Sequence, residues 1–597
     1  MSRSAQPAGG AEAFLAGEEL DPLTLAVVSG ALDSIVREMT IVIVNTSRSP
    51  VLAEAYDFSN CLFDGQSRMV VQGENVPVHV GAMIEATRSV TGYFGDDVHE
   101  GDVIYCNDPA YLGSHLPDMV MYKPVFFEGE LVFWAANKSH MMDTGGPVAG
   151  GYNPHARDVY AEGLRISPVK LYERGRERRD VIDLLLTNVR IPRALRGDMR
   201  AQLAAVSTAE RRLVALLEKY GRETVRLCCE ALLDRAERIM RDQIRQIPDG
   251  VYTGSAILED YGHGRGDVEI RTRLEVNGSK ISVVLEAPPQ ADNYFNAYWP
   301  NTQSMVYYAL LASVEPDMPH NEGLYRPVTI DFGPPGTRVN ARLPAACAQS
   351  TGSVAEVIWD SVADAFSKAV PARACAGWCR PFLAIFAGVD PRTGEPWADY
   401  SLAGGMGGAG ATCGLDGWDA IGWVNAGGAC HHGDVELLEY KEPIRIWRHE
   451  FRTDSACPGR WRGGLGTVHE VEILADVVMS TIADGVVYPP PSRSGAVSEH
   501  PERNAHAKWL VSGERVEPIA PQVVVDVPAG SRIVSYSAGG GGVGPAFERD
   551  IEAVLADVRN EVVSVEAASE EYGIVIDPES LEIDARATEA RRRGEEP

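Results

Sequence analysis

Two strand-like runs separated by a two-residue break restrict the fold of this chain more than any other feature. Residues 119–127 (MVMYKPVFF) and 131–136 (LVFWAA) are rich in β-branched, aromatic and methionine side chains, and Glu128-Gly129 interrupts them. Two such runs joined by a tight turn pair as antiparallel strands. The sequence therefore predicts a β-hairpin in which the end of the second strand returns to the beginning of the first.

The two ends of this hairpin carry side chains that can bind a metal ion. His115 and Asp118 stand where the first run begins, and His140 follows the second run. Imidazole and carboxylate groups are common ligands of divalent metals. An isolated His-x-x-Asp is more often a hydrogen-bonded surface pair, but the hairpin returns a second histidine to it. The residue pattern alone leaves a metal site and a surface pair about equally open.

The remaining patterns predict an α+β, multi-domain protein with mixed β-sheets, a long helical hairpin and a glycine-rich, mostly-β C-terminal half. Apolar residues at helical spacing indicate two helices within 195–247. Asn277-Gly278, between two strand-like runs, favours a type I′ turn. We predict a disordered N-terminus 1–19, a metal-binding α+β domain 20–194, the helical hairpin 195–247, an α+β domain 248–380, a glycine-rich mostly-β region 381–575 and a loose charged tail 576–597.

Charge and composition exclude several classes of protein. The chain has 597 residues, with 55 basic and 84 acidic side chains and a net charge of −29. This charge disfavours nucleic acid and anionic membranes as partners. We find no apolar run of about 18 residues and no secretory signal pattern at the start. The acidic charge suits a cytosolic enzyme, and the ten scattered cysteines fit reduced thiols, so we expect a cytoplasmic location.

Short motifs follow one another in a characteristic order between about residues 20 and 575. They are residues 49–59 (SPVLAEAYDFS), 107–109 (NDP), the His115/Asp118 element, 140–146 (HMMDTGG), 162–164 (EGL), 188–192 (NVRIP), 326–327 (RP), 454–455 (DS), 459–464 (GRWRGG) and 539–542 (GGGG). In content and order they resemble the hydantoinase B/oxoprolinase family, which also includes the alpha subunits of acetone carboxylase.

The resemblance implies roles for seven residues. The positions that match divalent-ion ligands of the family are Asp57, His115, Asp118 and His140. The candidate catalytic residues are Glu54, His79 and Asp143. Glu54 is a carboxylate for proton transfer or an outer-shell position, and His79 matches a family histidine near the site but fits a core histidine equally well. Asp143 is expected to orient His140 or a bound water rather than to bind the ion itself.

Two glycine clusters, residues 404–410 (GGMGGAG) and 539–542, could in principle hold phosphate through backbone N–H groups. Neither ends in Lys-Ser or Lys-Thr, so neither fits a P-loop, and tight turns with close backbone packing are favoured. Members of the family work with a larger subunit that carries ATP. We therefore expect a hydantoinase A-type partner that binds the nucleotide, in a heterotetramer or larger complex.

The resemblance implies an ATP-dependent amidohydrolase that acts on cyclic amides after the partner has phosphorylated them. One zinc, manganese or iron ion would serve the hydrolysis, and the sequence does not choose among these metals. The alternative is an ATP-dependent ketone carboxylase, in which the partner activates bicarbonate and an enolised ketone. An inactive scaffold subunit is a third possibility, and four intact candidate ligands argue against it.

Overall fold

The computed structural model describes residues 20–594 except 74, 263–265 and 315–317. The predicted disordered segment 1–19 lies outside the described residues. The α-helices of the described part are α1 Pro22–Thr46, α2 Pro50–Ala53, α3 Pro77–Phe94, α4 Arg179–Thr187, α5 Pro192–Tyr220, α6 Arg222–Ile244, α7 Trp299–Ala312, α8 Ser353–Ala369, α9 Val435–Lys441, α10 Ile551–Arg559, α11 Val565–Tyr572 and α12 Ala585–Arg592.

The strands form four sheets, and together with the helices they confirm the predicted α+β class. In chain order they are β1 Phe58–Asp64, β2 Met69–Gln72, β3 Val103–Cys106, β4 Asp118–Phe127, β5 Glu130–His140, β6 Val169–Glu173, β7 Arg176–Glu177, β8 Gly250–Leu258, β9 Val268–Asn277, β10 Lys280–Glu286, β11 Val328–Asp331, β12 Phe382–Val389, β13 Pro396–Asp399, β14 Ile444–Phe451, β15 Thr467–Ile473, β16 Val477–Ala483, β17 Ala507–Ser512, β18 Arg515–Pro518, β19 Val524–Val527 and β20 Arg532–Tyr536.

The N-terminal sheet has seven strands in the order β2-β1-β5-β4-β3-β6-β7. Its centre is the predicted hairpin of β4 and β5, which pair antiparallel with Asp118 opposite His140. The turn takes Glu128 to a φ of 53° and Gly129 to a φ of 82°, which is the backbone that a tight turn requires. The hairpin prediction is confirmed, and it fixes the position of the site.

A helical layer covers one face of this sheet. The predicted helical hairpin consists of α5 and α6, joined at Gly221, where φ is 80°. Helix α5 packs against α1 and against β4 and β5, and it buries a stripe of apolar side chains that includes Leu213 and Leu217. Helix α5 begins at Pro192, earlier than predicted, because proline suits the first turn of a helix.

A second sheet has the strand order β11-β10-β9-β8 and is covered by α8, which packs on β8 and β9. The Asn277-Gly278 turn joins β9 to β10 as predicted, with Gly278 at a φ of 60°. The C-terminal half contains the remaining two sheets, ordered β13-β12-β16-β19 and β14-β15-β20-β17-β18. It is mostly β with long loops, as the sequence indicated.

The two glycine clusters pack against neighbouring backbone. A Cβ atom at Gly540 would lie 1.8 Å from the carbonyl oxygen of Ala409, and one at Gly463 would lie 1.9 Å from that of Gly540. No side chain fits at such distances, so glycine is required for close backbone contact. This close packing agrees with the interpretation preferred for these clusters.

The C-terminal segment differs from the predicted loose tail, because helix α12 forms within it. Asp584 caps this helix by accepting from the N–H groups of Arg586 and Ala587. The guanidinium of Arg592 donates to the carbonyl of Tyr572, which fastens the helix to α11. Sequence reasoning saw only the charges and missed the cap.

Within the described ranges, no helix is long and apolar enough to cross a membrane.

Candidate metal centre

The hairpin ends bring together the three residues that the sequence singled out. His115 lies in the turn before β4, where its carbonyl accepts from the N–H of Asp118 at 3.2 Å. Asp118 begins β4, and His140 ends β5 directly opposite it. One ligand atom from each of the three buried residues lies within 4.8 Å of the others. Such a group can hold a metal ion.

One carboxylate oxygen of Asp118 is the focus of three imidazole rings. Its Oδ1 lies 2.9 Å from Nε2 of His115, 3.2 Å from Nδ1 of His140 and 3.5 Å from Nε2 of His79. All three rings are at least nine-tenths buried. The third, His79, lies in the first turn of α3 and was predicted as a catalytic candidate.

The other oxygen of Asp118 is held by hydrogen bonds. Its Oδ2 accepts from the hydroxyl of Ser114 at 2.7 Å and lies 3.1 Å from the ammonium of Lys138. Burial opposes the charge of Asp118, but His115, Lys138 and His79 together hold its pKa well below the usual range. The carboxylate therefore stays ionised, with one oxygen tied back and the other facing the histidines.

The proton of His115 is assigned by its outer partner. Nδ1 lies 3.0 Å from the carbonyl oxygen of Ala348, which can only accept, so Nδ1 carries the hydrogen. The lone pair is then on Nε2, which faces Asp118. Burial lowers the pKa of His115, which keeps the ring neutral. A neutral imidazole whose outer N–H is held by a carbonyl is the arrangement found in metal-binding histidines.

His140 is fixed in the same way by Tyr400. The tyrosine hydroxyl donates to the carbonyl of Gly150 at 3.0 Å and can therefore accept from Nε2 of His140 at 3.1 Å. This leaves the lone pair on Nδ1, which faces Asp118. Burial opposes protonation of His140, but the adjacent carboxylates of Asp118 and Asp57 raise its pKa. The carboxylates thus attract positive charge to this point.

His79 follows the pattern through Ser59. The serine hydroxyl donates to the carbonyl of Val76 at 3.1 Å and lies 3.3 Å from Nδ1 of His79. Because that hydrogen is already used, the hydroxyl accepts from Nδ1, and the lone pair is on Nε2. Nε2 lies 3.7 Å from Oδ1 of Asp57. In these tautomers the inner ring nitrogens of three histidines face one carboxylate oxygen.

Asp57 completes the group from the edge of β1. Its backbone carbonyl accepts from the N–H of His140 at 3.1 Å, which joins the two segments. Asp57, His79 and His140 line a cavity whose other walls are mainly apolar, and no lysine or arginine of the described chain lines it. The principal apolar lining residues are Val51, Val76, Val78, Leu383, Leu402, Trp423 and Ile482.

The donor set fits a divalent transition metal. Imidazole nitrogen suits zinc, manganese or iron, whereas magnesium and calcium prefer oxygen ligands. In the tautomers assigned above, with neither a metal ion nor a further proton between these atoms, nitrogen lone pairs would face a carboxylate oxygen across 2.9 and 3.2 Å, which is repulsive. The residues present therefore fit a metal ion better than they fit one another.

Two of the predicted catalytic residues lie elsewhere. Glu54 lines a neighbouring cavity, and its Oε1 pairs with the ammonium of Lys441 at 2.5 Å. Asp143 accepts from the guanidinium of Arg190 at 2.9 Å and from the N–H of Gly145 at 3.2 Å. Asp143 thus holds the loop after β5, whereas the ring nitrogens of His140 face Asp118 and Tyr400.

Sequence reasoning missed Lys138 and Tyr400. Lys138 had a usable signal, because it stands two residues before His140 on β5 and alternation puts both side chains on one face. Tyr400 had none, since it lies 260 residues from His140 in the chain. Only the packing of the C-terminal half against the N-terminal sheet brings them together.

Comparison with known proteins agrees with these observations. The family model for hydantoinase B/oxoprolinase matches residues 21–546. The beta subunit of a caprolactamase from Pseudomonas jessenii is 45% identical over 96% of this chain and 99% of its own length. One subunit of a putative D-/L-hydantoinase from Pseudomonas sp. (strain NS671) is 32% identical over 96% of this chain and 98% of its own length.

Solved structures show the same fold. The crystal structure of the ATP-dependent caprolactamase from Pseudomonas jessenii matches with a TM-score of 0.92 and 44% identity, covering 96% of this chain and 100% of that one. Nucleotide-free acetone carboxylase matches with a TM-score of 0.88 at 18% identity, covering 96% and 83%. The chain belongs to the hydantoinase B/oxoprolinase family.

Proposed function

We propose that this chain is the metal-bearing subunit of an ATP-dependent hydrolase of cyclic amides. The observation that carries the proposal is the convergence of three imidazole rings on Asp118, beside a mostly apolar cavity that His79 and His140 line. A relative that matches over nearly its whole length is named as part of a caprolactamase, which supports the choice of reaction. Oxoprolinases are also among its relatives.

Activation by ATP falls to a partner subunit in this proposal. Amide resonance makes an unactivated ring slow to hydrolyse, and transfer of a phosphoryl group to the amide oxygen creates a leaving group. The glycine clusters are packed against backbone, which leaves them unsuited to phosphate. We therefore assign ATP to a hydantoinase A-type partner, with both chains present in a heterotetramer or larger assembly.

The residues of the metal centre divide the remaining work. Asp57, His115, Asp118 and His140 would hold the ion, which supplies Lewis acidity and lowers the pKa of nearby water. His79 directs its Nε2 toward the same point, so we assign it the proton of the attacking water. This role replaces Glu54, which is paired with Lys441 in another cavity. The apolar walls keep bulk water out.

The cavity favours an uncharged ring. Most of its lining is apolar or aromatic, with Gln349, Thr351 and Asn425 among the polar exceptions, and its described lining includes no lysine or arginine that would pair with a substrate carboxylate. A substrate such as 5-oxoproline would leave its carboxylate unpaired there, which is costly. A hydrocarbon lactam would instead gain from burial of its methylene groups. We therefore propose neutral lactams as the substrate class.

The test uses the chain reconstituted with its ATP-binding partner. With ATP and a panel of lactams and hydantoins, we expect one ADP for each neutral lactam ring opened. In a parallel reaction with a ketone and labelled bicarbonate, we expect no fixed label. The Asp118→Asn variant should lose ring opening, while Glu130→Gln, at the exposed far end of the same hairpin, should keep it. Ketone-dependent label in a β-keto acid would overturn the proposal in favour of a carboxylase.

A further inference from the structure

A second cavity adjoins the cavity of the metal centre, because the two share apolar lining residues. Val51 and Leu402 line both cavities. The side chains of residues 399–401 alternate between the two cavities, since Tyr400 lines the first whereas Asp399 and Ser401 line the second. Neighbouring side chains of one short segment therefore serve both spaces.

Glu54 lines this second cavity, and only one of its two carboxylate oxygens has a partner among the described residues. Its Oε1 pairs with Lys441, but its Oε2 is buried and has no hydrogen-bond partner in the described part of the chain. The side chain is only 11% exposed. A Cβ atom at Gly433, another lining residue, would lie 3.1 Å from that oxygen. The free oxygen is thus at the cavity wall, beside space left by a glycine.

Acidic side chains outnumber basic ones at this cavity, where Lys441 is the one cation that the described residues place against Glu54. Asp399 lines it together with Glu54, and burial and the charge of Glu54 raise the pKa of Asp399 to about 6. Nearby Glu442 is 5% exposed, and its Oε2 also has no hydrogen-bond partner among the described residues. Within the ranges that the structure describes, no lysine or arginine lines the cavity, and burial lowers the pKa of the lining His469 to about 3, so that ring is neutral.

The rest of the wall is hydrocarbon. The apolar lining residues are Phe386, Leu438, Ile444, Ile446 and Val471. A ligand that suits this space has an alkyl body and a cationic end. The side chain of Lys441 has this chemistry, because its alkyl chain ends in a primary ammonium that lies 2.5 Å from Glu54. Lys441 is 35% exposed and ends α9, a helix with no buried residue, so it can move aside.

We propose that the second cavity is a subsite for a primary alkylammonium group, which takes the amine end of the ring-opened product. The inference rests on the proposed function, because hydrolysis of a lactam gives a linear amino acid. Its carboxylate forms at the metal centre, and its amine is protonated at neutral pH. The methylene chain would run past Val51 and Leu402, which line both cavities, and the ammonium would meet Glu54 and Asp399.

The experiment measures binding of 6-aminohexanoate and of 6-hydroxyhexanoate to the purified complex by calorimetry. The two probes differ only in the charged end. We expect the amine to bind at least about tenfold more tightly, as a charge-assisted hydrogen bond to a buried carboxylate implies. Glu54→Gln should reduce this preference to within about threefold. Glu436→Gln, on the exposed side of α9, should leave it unchanged.

A second variant separates recognition from damage to the fold. Lys441→Met removes the ammonium that competes for Glu54, so the amine should bind several-fold more tightly than it does to the wild type. A merely structural role of the pair predicts weaker binding or none. Equal affinity for the two probes in the wild type would overturn the subsite. Glu54-dependent amine binding by a complex that opens no lactam would instead keep the subsite and refute the proposed function.

Discussion

Replacement of Tyr400 by phenylalanine tests whether the outer hydrogen bonds hold the histidines of the metal centre. The change keeps the ring and its packing but removes the hydroxyl that links His140 to the carbonyl of Gly150. Nε2–H of His140 then has no acceptor, and the ring is free to change its tautomer or to rotate. We expect a folded protein with weakened metal binding.

The magnitude follows from the two contacts that are lost. Both lie in a buried site, since Tyr400 is 2% exposed and His140 is 5% exposed. Leaving a buried donor or acceptor unpaired costs roughly 1–3 kcal/mol for each group. The free energy of unfolding should therefore fall by about 2–6 kcal/mol. Loss of an outer hydrogen bond to a metal-binding histidine typically weakens metal affinity by about 10–100-fold.

The assay combines urea unfolding with competition against a chromogenic chelator. Tyr152→Phe is the matched control, because the Tyr152 ring also lies against His140, with 6.1 Å between ring centroids. That variant removes a hydroxyl without removing the bond to His140, so its metal affinity should stay within about twofold of wild type. If Tyr400→Phe also binds metal as tightly as the wild type, the reasoning about fixed tautomers is wrong.

Three further predictions concern other groups. His79→Gln should lower kcat by about 10²–10⁴-fold and leave the metal content unchanged, since His79 is assigned to proton transfer; loss of the metal would make it a ligand instead. Glu162 accepts from the N–H of Ala348 at 2.6 Å, and the carbonyl of Ala348 in turn holds His115. Glu162→Ala removes this support, so chelator competition should show about tenfold weaker metal binding. Burial lowers the pKa of Lys508 from 10.5 to about 7, so the wild type loses stability as the pH falls from 10.5 towards 7. The Lys508→Met variant should lack this loss, so its free energy of unfolding in urea should exceed that of the wild type by an amount that increases as the pH falls over this range. A difference that does not change with pH would contradict the prediction.

The sequence predicted those parts of the structure that depend on local patterns. The β4–β5 hairpin follows from two strand-like runs and a turn, and it places His115, Asp118 and His140 together. The α5–α6 hairpin follows from helical spacing, and the β9–β10 turn follows from Asn277-Gly278. In each case the interacting residues are close in the chain or lie on one repeating face.

What could not be predicted depends on contacts between distant segments. Tyr400 reaches His140 only because the C-terminal half packs on the N-terminal sheet. Glu54 stands three residues before Asp57, yet the pairing with Lys441 directs it into another cavity. The motif gives the order of the two carboxylates but not the direction in which each points, since that is decided by partners far away in the chain.

The most direct test of the metal centre is the metal content of the purified chain and of two variants. Elemental analysis should find close to one zinc, manganese or iron ion per chain in the wild type, and Glu130→Gln should match it. His115→Ala and Asp118→Ala should remain folded and carry little metal, because each loses a group whose lone pair faces the ion. If both variants fold and keep the full metal content, the ion is held elsewhere and the assignment of this centre is wrong.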